Sequence, residues 1–281
     1  MSSYTLQHER TAQHDFEYIE AGQGPTLLLL HGLFGALSNW QGVLDEFKDR
    51  HRVLIPLLPI YLSNEKVEPS VEGIAGFVHA FVQHKQLTND GAKFTLLGNS
   101  LGGHVALIYS LLHPQHVQAL ILTGSSGLFE TGMGTGFPRR GDYKYIKDRV
   151  AFTFYDPATA KQALVDEVRD LINNRSAAIR IVKLARAAQR MNMAAQLRNL
   201  HTRTCLVWGL NDNITPPYVA HEFRRLISNS ELHFIDKCGH AAMMERPAEF
   251  NRIVRGFLEA TPTFSPTTIA SDTYTAPSLV S

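Results

Sequence analysis

Six short stretches of the chain are apolar almost without interruption: Thr26-Leu27-Leu28-Leu29-Leu30, Val53-Leu54-Ile55, Phe94-Thr95-Leu96-Leu97, Ala119-Leu120-Ile121-Leu122, Cys205-Leu206-Val207-Trp208 and Leu232-His233-Phe234-Ile235. Apolar runs without alternation suit strands buried on both faces, as in a parallel sheet. Glycine or proline follows most of them, at Gly32, Pro56, Gly98, Gly124 and Gly209. Helical spacing fills the intervals. Ile74, Phe77, Val78, Phe81 and Val82 mark one helix within Val71–Val82. Leu101–Leu112 is apolar on most sides, as a helix pressed against a sheet must be. Pro216-Pro217 opens a third, with Thr215 placed to cap it, and Pro247 opens a last one ending near Leu258. Strands alternating with helices predict an α/β fold, a doubly wound and mostly parallel sheet.

One interval breaks the alternation. Gly127 to about Leu200 has no buried-strand pattern. It begins with a Gly-rich basic loop, Gly132–Gly141, and continues with helical stretches at Lys144–Phe152, Pro157–Ile172 and Ala177–Met191. Residues 127–200 are therefore expected to form a helical cap, inserted into a core made of 1–126 and 201–260. Residues 261–281 are rich in Thr, Ser and Pro and are expected to be a disordered tail. Met1–Gly24 is polar and has no apolar signal-peptide segment. Leu27–Leu30 is far too short to span a bilayer.

Composition narrows the function. The 281 residues carry a net charge of +1, so neither nucleic acid nor an anionic membrane is an expected partner. The two cysteines form no disulfide framework; Cys205 opens one predicted strand and Cys238 lies just past the end of its neighbour, too far apart for a bridge. Reduced thiols lead to the expectation of a cytoplasmic protein, a monomer or homodimer. The sequence shows no Cys/His cluster with metal-ligand spacing and no P-loop, so no metal or cofactor is expected.

The candidate chemistry sits where the predicted strands end. Gly98-Asn99-Ser100-Leu101-Gly102 lies between a buried strand and a helix, the setting of a nucleophile elbow, where small flanking residues allow a sharp turn. Ser100 is the candidate nucleophile. His31-Gly32-Leu33-Phe34-Gly35 follows the first apolar run and can aim backbone N–H groups at an oxyanion. The assigned donors are the amides of Leu33 and Leu101, with Phe34 as the alternative to Leu33; His31 is read as bracing the loop. His240, in Cys238-Gly239-His240-Ala241, is the candidate base. Asp212, in Trp208-Gly209-Leu210-Asn211-Asp212, is the candidate acid, with Glu130 as its rival. The chain order Ser, Asp, His agrees. Arg139 and Arg140 in the basic loop are either solvated or a clamp for a substrate carboxylate.

These motifs resemble the capped single-domain α/β-hydrolases over roughly residues 15–260. Gly98 to Gly103 and Cys238-Gly239-His240 are similar to both the small esterases and the meta-cleavage-product (carbon–carbon bond) hydrolases. The resemblance implies the α/β-hydrolase fold, a helical cap and a Ser-His-Asp triad. Two departures stand out. Ala241 occupies a place where the carbon–carbon hydrolases typically have tryptophan. Pro56-Leu57-Leu58-Pro59-Ile60-Tyr61 replaces an Asp and a Gly-rich turn. The expected function is a serine carboxylesterase acting on a small-molecule ester. The alternatives are carbon–carbon bond hydrolysis, a non-catalytic binding role and a cofactor-free peroxidase-like activity.

Overall fold

The computed structural model describes residues 4–61, 66–131 and 141–260. The chain runs through β1 (Gln7–Arg10), β2 (Asp15–Ala21), β3 (Thr26–Leu30), α1 (Gln41–Phe47), β4 (Arg52–Pro56), α2 (Val71–His84), β5 (Phe94–Asn99), α3 (Leu101–Leu112) and β6 (Val117–Thr123). It continues through α4 (Tyr143–Ala151), α5 (Gln162–Asn173), α6 (Arg175–Arg190), α7 (Ala194–Leu197), β7 (Arg203–Gly209), α8 (Pro217–Leu226), β8 (Ser230–Ile235), α9 (Ala242–Glu245) and α10 (Pro247–Glu259). The eight strands form one sheet in the order β1-β2-β4-β3-β5-β6-β7-β8. All neighbours from β4 onward pair in parallel; β1 with β2 and β2 with β4 pair antiparallel.

The apolar runs divide by strand parity. Leu28, Leu30, Leu54, Leu96, Leu120, Leu122, Leu206 and Trp208 pack on one face with α2, α3 and α8. Leu27, Leu29, Val53, Ile55, Leu97, Ile121, Cys205 and Val207 pack on the other with α1 and α10. Side chains on a strand point alternately to its two sides, so burial on both faces requires an unbroken apolar run. Strands β1 and β2 depart from this rule, and the sequence reading passed over them. Their burial alternates, with Phe16 and Tyr18 inward and their neighbours more exposed, as antiparallel strands with one wet face do.

Helices α4–α7 all fall between β6 and β7, the interval that lacked strand pattern. Arg180 on α6 donates to the carbonyls of Pro59 and Val67, at 3.0 and 3.1 Å, joining this insertion to the segment after β4. Helix α8 starts with Pro216 at its N-cap and no side-chain cap. Thr215 therefore does not cap it as expected, because its hydroxyl is engaged by Asp212. Both cysteines are buried and free. Among the described residues no helix is long and apolar enough to cross a membrane. The expected tail, and Arg139 and Arg140, lie outside the described residues.

Candidate active site

Parallel pairing places the carboxyl ends of β3, β5, β6, β7 and β8 along one edge, and the loops that leave them meet there. This is where ligands bind in open α/β sheets. Ser100 directly follows β5 with φ 53° and ψ −120°, a left-handed conformation unusual for a residue with a side chain. Its amide donates to Thr123 O at 3.1 Å, and its carbonyl accepts from the Ser126 amide at 3.2 Å. The turn is pinned from both sides. Close approach explains the glycines around it. A methyl group on Gly98 would lie 2.5 Å from Gly102 O, and one on Gly102 would lie 2.2 Å from Leu30 O.

The loop after β3 lies against this turn; a methyl on Gly32 would come within 3.1 Å of Ser100 Cβ. Fully buried His31 holds the loop. Its Nε2 accepts from the Leu58 amide at 3.0 Å, so Nδ1 carries the proton toward Gly32 O at 2.9 Å. Burial drives its pKa down to about 4, so the ring is neutral. Tyr61 Oη lies 2.7 Å from Leu33 O and 3.0 Å from Gly35 O, and its one hydrogen serves one of them at a time. The unusual Pro56–Tyr61 stretch thus supplies two braces to the loop that bears Leu33. Leu101, the other assigned donor, is the first residue of α3, where backbone N–H groups have no intrahelical acceptor.

Asp212 and His240 meet across the ends of β7 and β8. His240 Nδ1 lies 2.9 Å from Asp212 Oδ2, with the residues 7% and 3% exposed. Asp212 Oδ1 accepts from the Ile214 and Thr215 amides at 2.8 and 2.9 Å, and Oδ2 from the Thr215 hydroxyl at 2.8 Å. These bonds fix the carboxylate plane. They also assign the proton of the His240–Asp212 bond to Nδ1, which leaves Nε2 with its lone pair. Asn99 joins this pair to the nucleophile turn, its amide donating to Thr123 O at 3.0 Å and to His240 O at 3.3 Å. Gly124 backs onto the imidazole; a methyl there would lie 2.8 Å from His240 Nδ1.

The insertion reaches the same loop. Thr153 O accepts from the His240 amide at 2.8 Å. The Glu245 carboxylate accepts from the amides of Gly239, Tyr155 and Asp156 at 2.7, 3.1 and 2.7 Å. Burial depresses the pKa of His240, but the charge and hydrogen bond of Asp212 outweigh it, with a further contribution from Glu130, and the net direction is up. Glu130 is itself raised by burial and is opposed by His240. Asp212, not Glu130, makes the hydrogen bond to the ring. Sequence reasoning missed Asn99, Tyr61, Thr215 and Glu245 as supports. Only Asn99 carried a signal, as the variable residue of the elbow motif.

Residues 25–247 match the family described as alpha/beta hydrolase fold. The chain is 28% identical over 275 residues, 92% of each protein, to the 2-hydroxy-6-oxo-6-(2'-aminophenyl)hexa-2,4-dienoic acid hydrolase of Metapseudomonas resinovorans. It is 26% identical to a 2-hydroxy-6-oxononadienedioate/2-hydroxy-6-oxononatrienedioate hydrolase of Pseudomonas putida, over 87% of this chain and 92% of that one. Among solved structures, an alpha/beta hydrolase enzyme from the sediment metagenome of the Mar Chica lagoon in Morocco is similar. It is 38% identical with a TM-score of 0.72, over 91% of this chain and 98% of that one.

Proposed function

We propose a reaction for this chain, which belongs to the alpha/beta hydrolase fold family: hydrolysis through an acyl-enzyme on Ser100, directed at the carbon–carbon bond beside the ketone of a 2-hydroxy-6-oxo-dienoic acid. The observation that carries the substrate reading is the likeness, over nearly the whole chain, to hydrolases named for such acids. It favours this reaction over the ester hydrolysis expected from the motifs.

The Asp212–His240 pair and the Ser100 turn support the proton transfers in this reading. Tautomerisation of the dienol to a ketone prepares a leaving group whose electrons delocalise as a dienolate. Ser100 Oγ attacks the distal ketone as His240 Nε2 takes its proton, and the Leu33 and Leu101 amides hold the oxyanion. Collapse breaks the carbon–carbon bond, and the imidazolium returns the proton to the departing dienolate. Water then cleaves the acyl-enzyme by the same relay. A base whose pKa is raised suits a step that must deliver a proton to a weakly acidic leaving group. Helices α4–α7 serve in this reading as the cap, since Thr153 already contacts the base-bearing loop.

Ester hydrolysis by the same triad is the second reading. Buried Ala241, next to the base, puts a methyl group where the carbon–carbon hydrolases typically have tryptophan. One preparation assayed with a 2-hydroxy-6-oxo-dienoic acid and with p-nitrophenyl esters decides between them. The proposal expects kcat/KM for the keto-acid to exceed that for the best ester by about a hundredfold. The reverse preference establishes the ester reading. Equal, unchanged rates from a Ser100→Ala variant overturn both.

A further inference from the structure

Three histidines that the sequence keeps apart come together away from the candidate active site. His79 lies on α2, His113 caps the end of α3, and His116 ends the short turn leading into β6. One ring nitrogen from each lies within 4.8 Å of the others. The His79 and His113 rings stack at 4.1 Å between centroids with planes 4° apart, and His113 stacks on His116 at 5.2 Å and 5°. All three are half-buried. The turn is held by His113 N donating to Tyr109 O at 2.8 Å and His116 N donating to His113 O at 3.0 Å. The sequence reading found no Cys/His ligand cluster, because these residues share no motif; the packing of α2 on α3 creates one.

We propose that His79, His113 and His116 form a binding site for one late first-row transition ion, zinc being the representative case. Three imidazoles with a solvent-accessible fourth position are a known zinc donor set, and all-nitrogen ligation disfavours calcium and magnesium. The rings offer lone pairs rather than protons. Neutral imidazole is the form that ligates, through whichever ring nitrogen carries no proton. Gln115 Nε2 lies 3.4 Å from His116 Nε2, and Tyr109 Oη lies 3.0 Å from its Nδ1. The Tyr109 hydroxyl oxygen can accept an Nδ1 proton as an outer partner, and Nε2 is then open to the ion once Gln115 turns away. His79 Nδ1 is buried without a hydrogen-bond partner among the described residues, a polar atom left for a ligand to satisfy. The rings stand nearly parallel, so their in-plane lone pairs converge on one ion at Zn–N distances of about 2.0–2.1 Å only after the half-buried side chains turn out of the stack. Helix α3, with 12 residues, spans about 18 Å between Ser100 and His113. The ion would therefore staple α2 to the α3–β6 turn and take no part at the serine.

The test uses the untagged full chain, stripped with chelator and titrated with zinc by calorimetry, with magnesium as control. The expected result is one zinc per chain, with Kd of about 1 µM or tighter, and a rise in thermal midpoint. His79→Gln, His113→Gln and His116→Gln should each weaken binding by about tenfold or more and remove the midpoint rise. Each should keep the metal-free hydrolase rate. His233→Gln tests the second cluster, Cys205–Glu231–His233, and should leave zinc binding unchanged. Should a variant misfold, cobalt bound to the unaltered chain must still show the visible ligand-field bands of nitrogen coordination. The proposal is overturned by absent saturable binding, by binding that survives the three substitutions, by loss in His233→Gln instead, or by cobalt without those bands.

Discussion

Asp212 accepts from two backbone amides and a hydroxyl as well as from His240. Asp212→Asn keeps an oxygen for the two amides but can turn an NH2 group toward the histidine, which forces the proton onto Nε2. The fold should survive, and kcat should fall by about ten-thousand-fold. Steady-state kinetics on the folded variant checks this, with Glu130→Gln alongside. If Glu130→Gln is the damaging change, the acid sits after β6 instead. The pH profile carries the second expectation at this scale. The raised pKa of His240 favours the imidazolium, while attack needs the neutral ring. The rising limb of kcat/KM against pH should therefore lie above about 6.5, the ordinary histidine value. Removing a negative charge raises the cost of the imidazolium, so Glu130→Gln should shift that limb to lower pH. A limb that moves up, or a rate flat across neutral pH, contradicts a His240 base supported by these carboxylates.

The elements show which parts of the molecule were legible in the sequence. The parallel strands β3 to β7 announced themselves as apolar runs, because strands covered on both faces leave few polar positions, while β8, at the edge of the sheet, is only partly buried and keeps Glu231 and His233. Helix α3 matched its expected Leu101–Leu112 limits, since the elbow fixes where it starts. The reading failed where a role depends on contacts between distant segments. Strand β2 is covered by α2, through Phe16 on Phe77 and Phe81. Helix α1, only seven residues long, is too short for its period to stand out. Thr215 looked like a cap, but the buried carboxylate three residues earlier took its hydroxyl. Nothing in Pro56–Tyr61 revealed that its last residue braces Leu33 and Gly35. That brace is testable. Tyr61→Phe should lower kcat by about ten- to a hundredfold with little change in KM, since a displaced oxyanion donor weakens the transition state more than the bound substrate. A change confined to KM would show that Tyr61 meets substrate rather than the loop. Glu245 joins α9 to the loop of His240 and to the segment after α4. Glu245→Ala should cost about 1 kcal/mol in chemical denaturation and lower kcat. Loss of stability with kcat unchanged would separate this link from catalysis.

At the scale of the whole molecule, one sheet edge gathers Ser100, His240 and Asp212, the candidate nucleophile, base and acid, and an insertion between β6 and β7 touches the loop of His240. The expectations made from motif order along the chain therefore converge in space, although the rival acid and the rival reaction could be weighed only after folding and comparison. The proposed zinc staple lies near the amino end of β6, at the opposite end of the strands from that edge, so binding there is expected to alter stability without altering the chemistry. The proposed reaction requires above all that Ser100 be an activated nucleophile on the intact chain. The most direct measurement is intact mass spectrometry after exposure to a fluorophosphonate, with the adduct located by peptide mapping. The expected result is one adduct per chain, on Ser100, formed in step with loss of hydrolase activity. It should be absent from Ser100→Ala and form far more slowly in Asp212→Asn. Full loss of activity with the adduct on another residue, or full activity in a chain labelled on Ser100, would contradict the account.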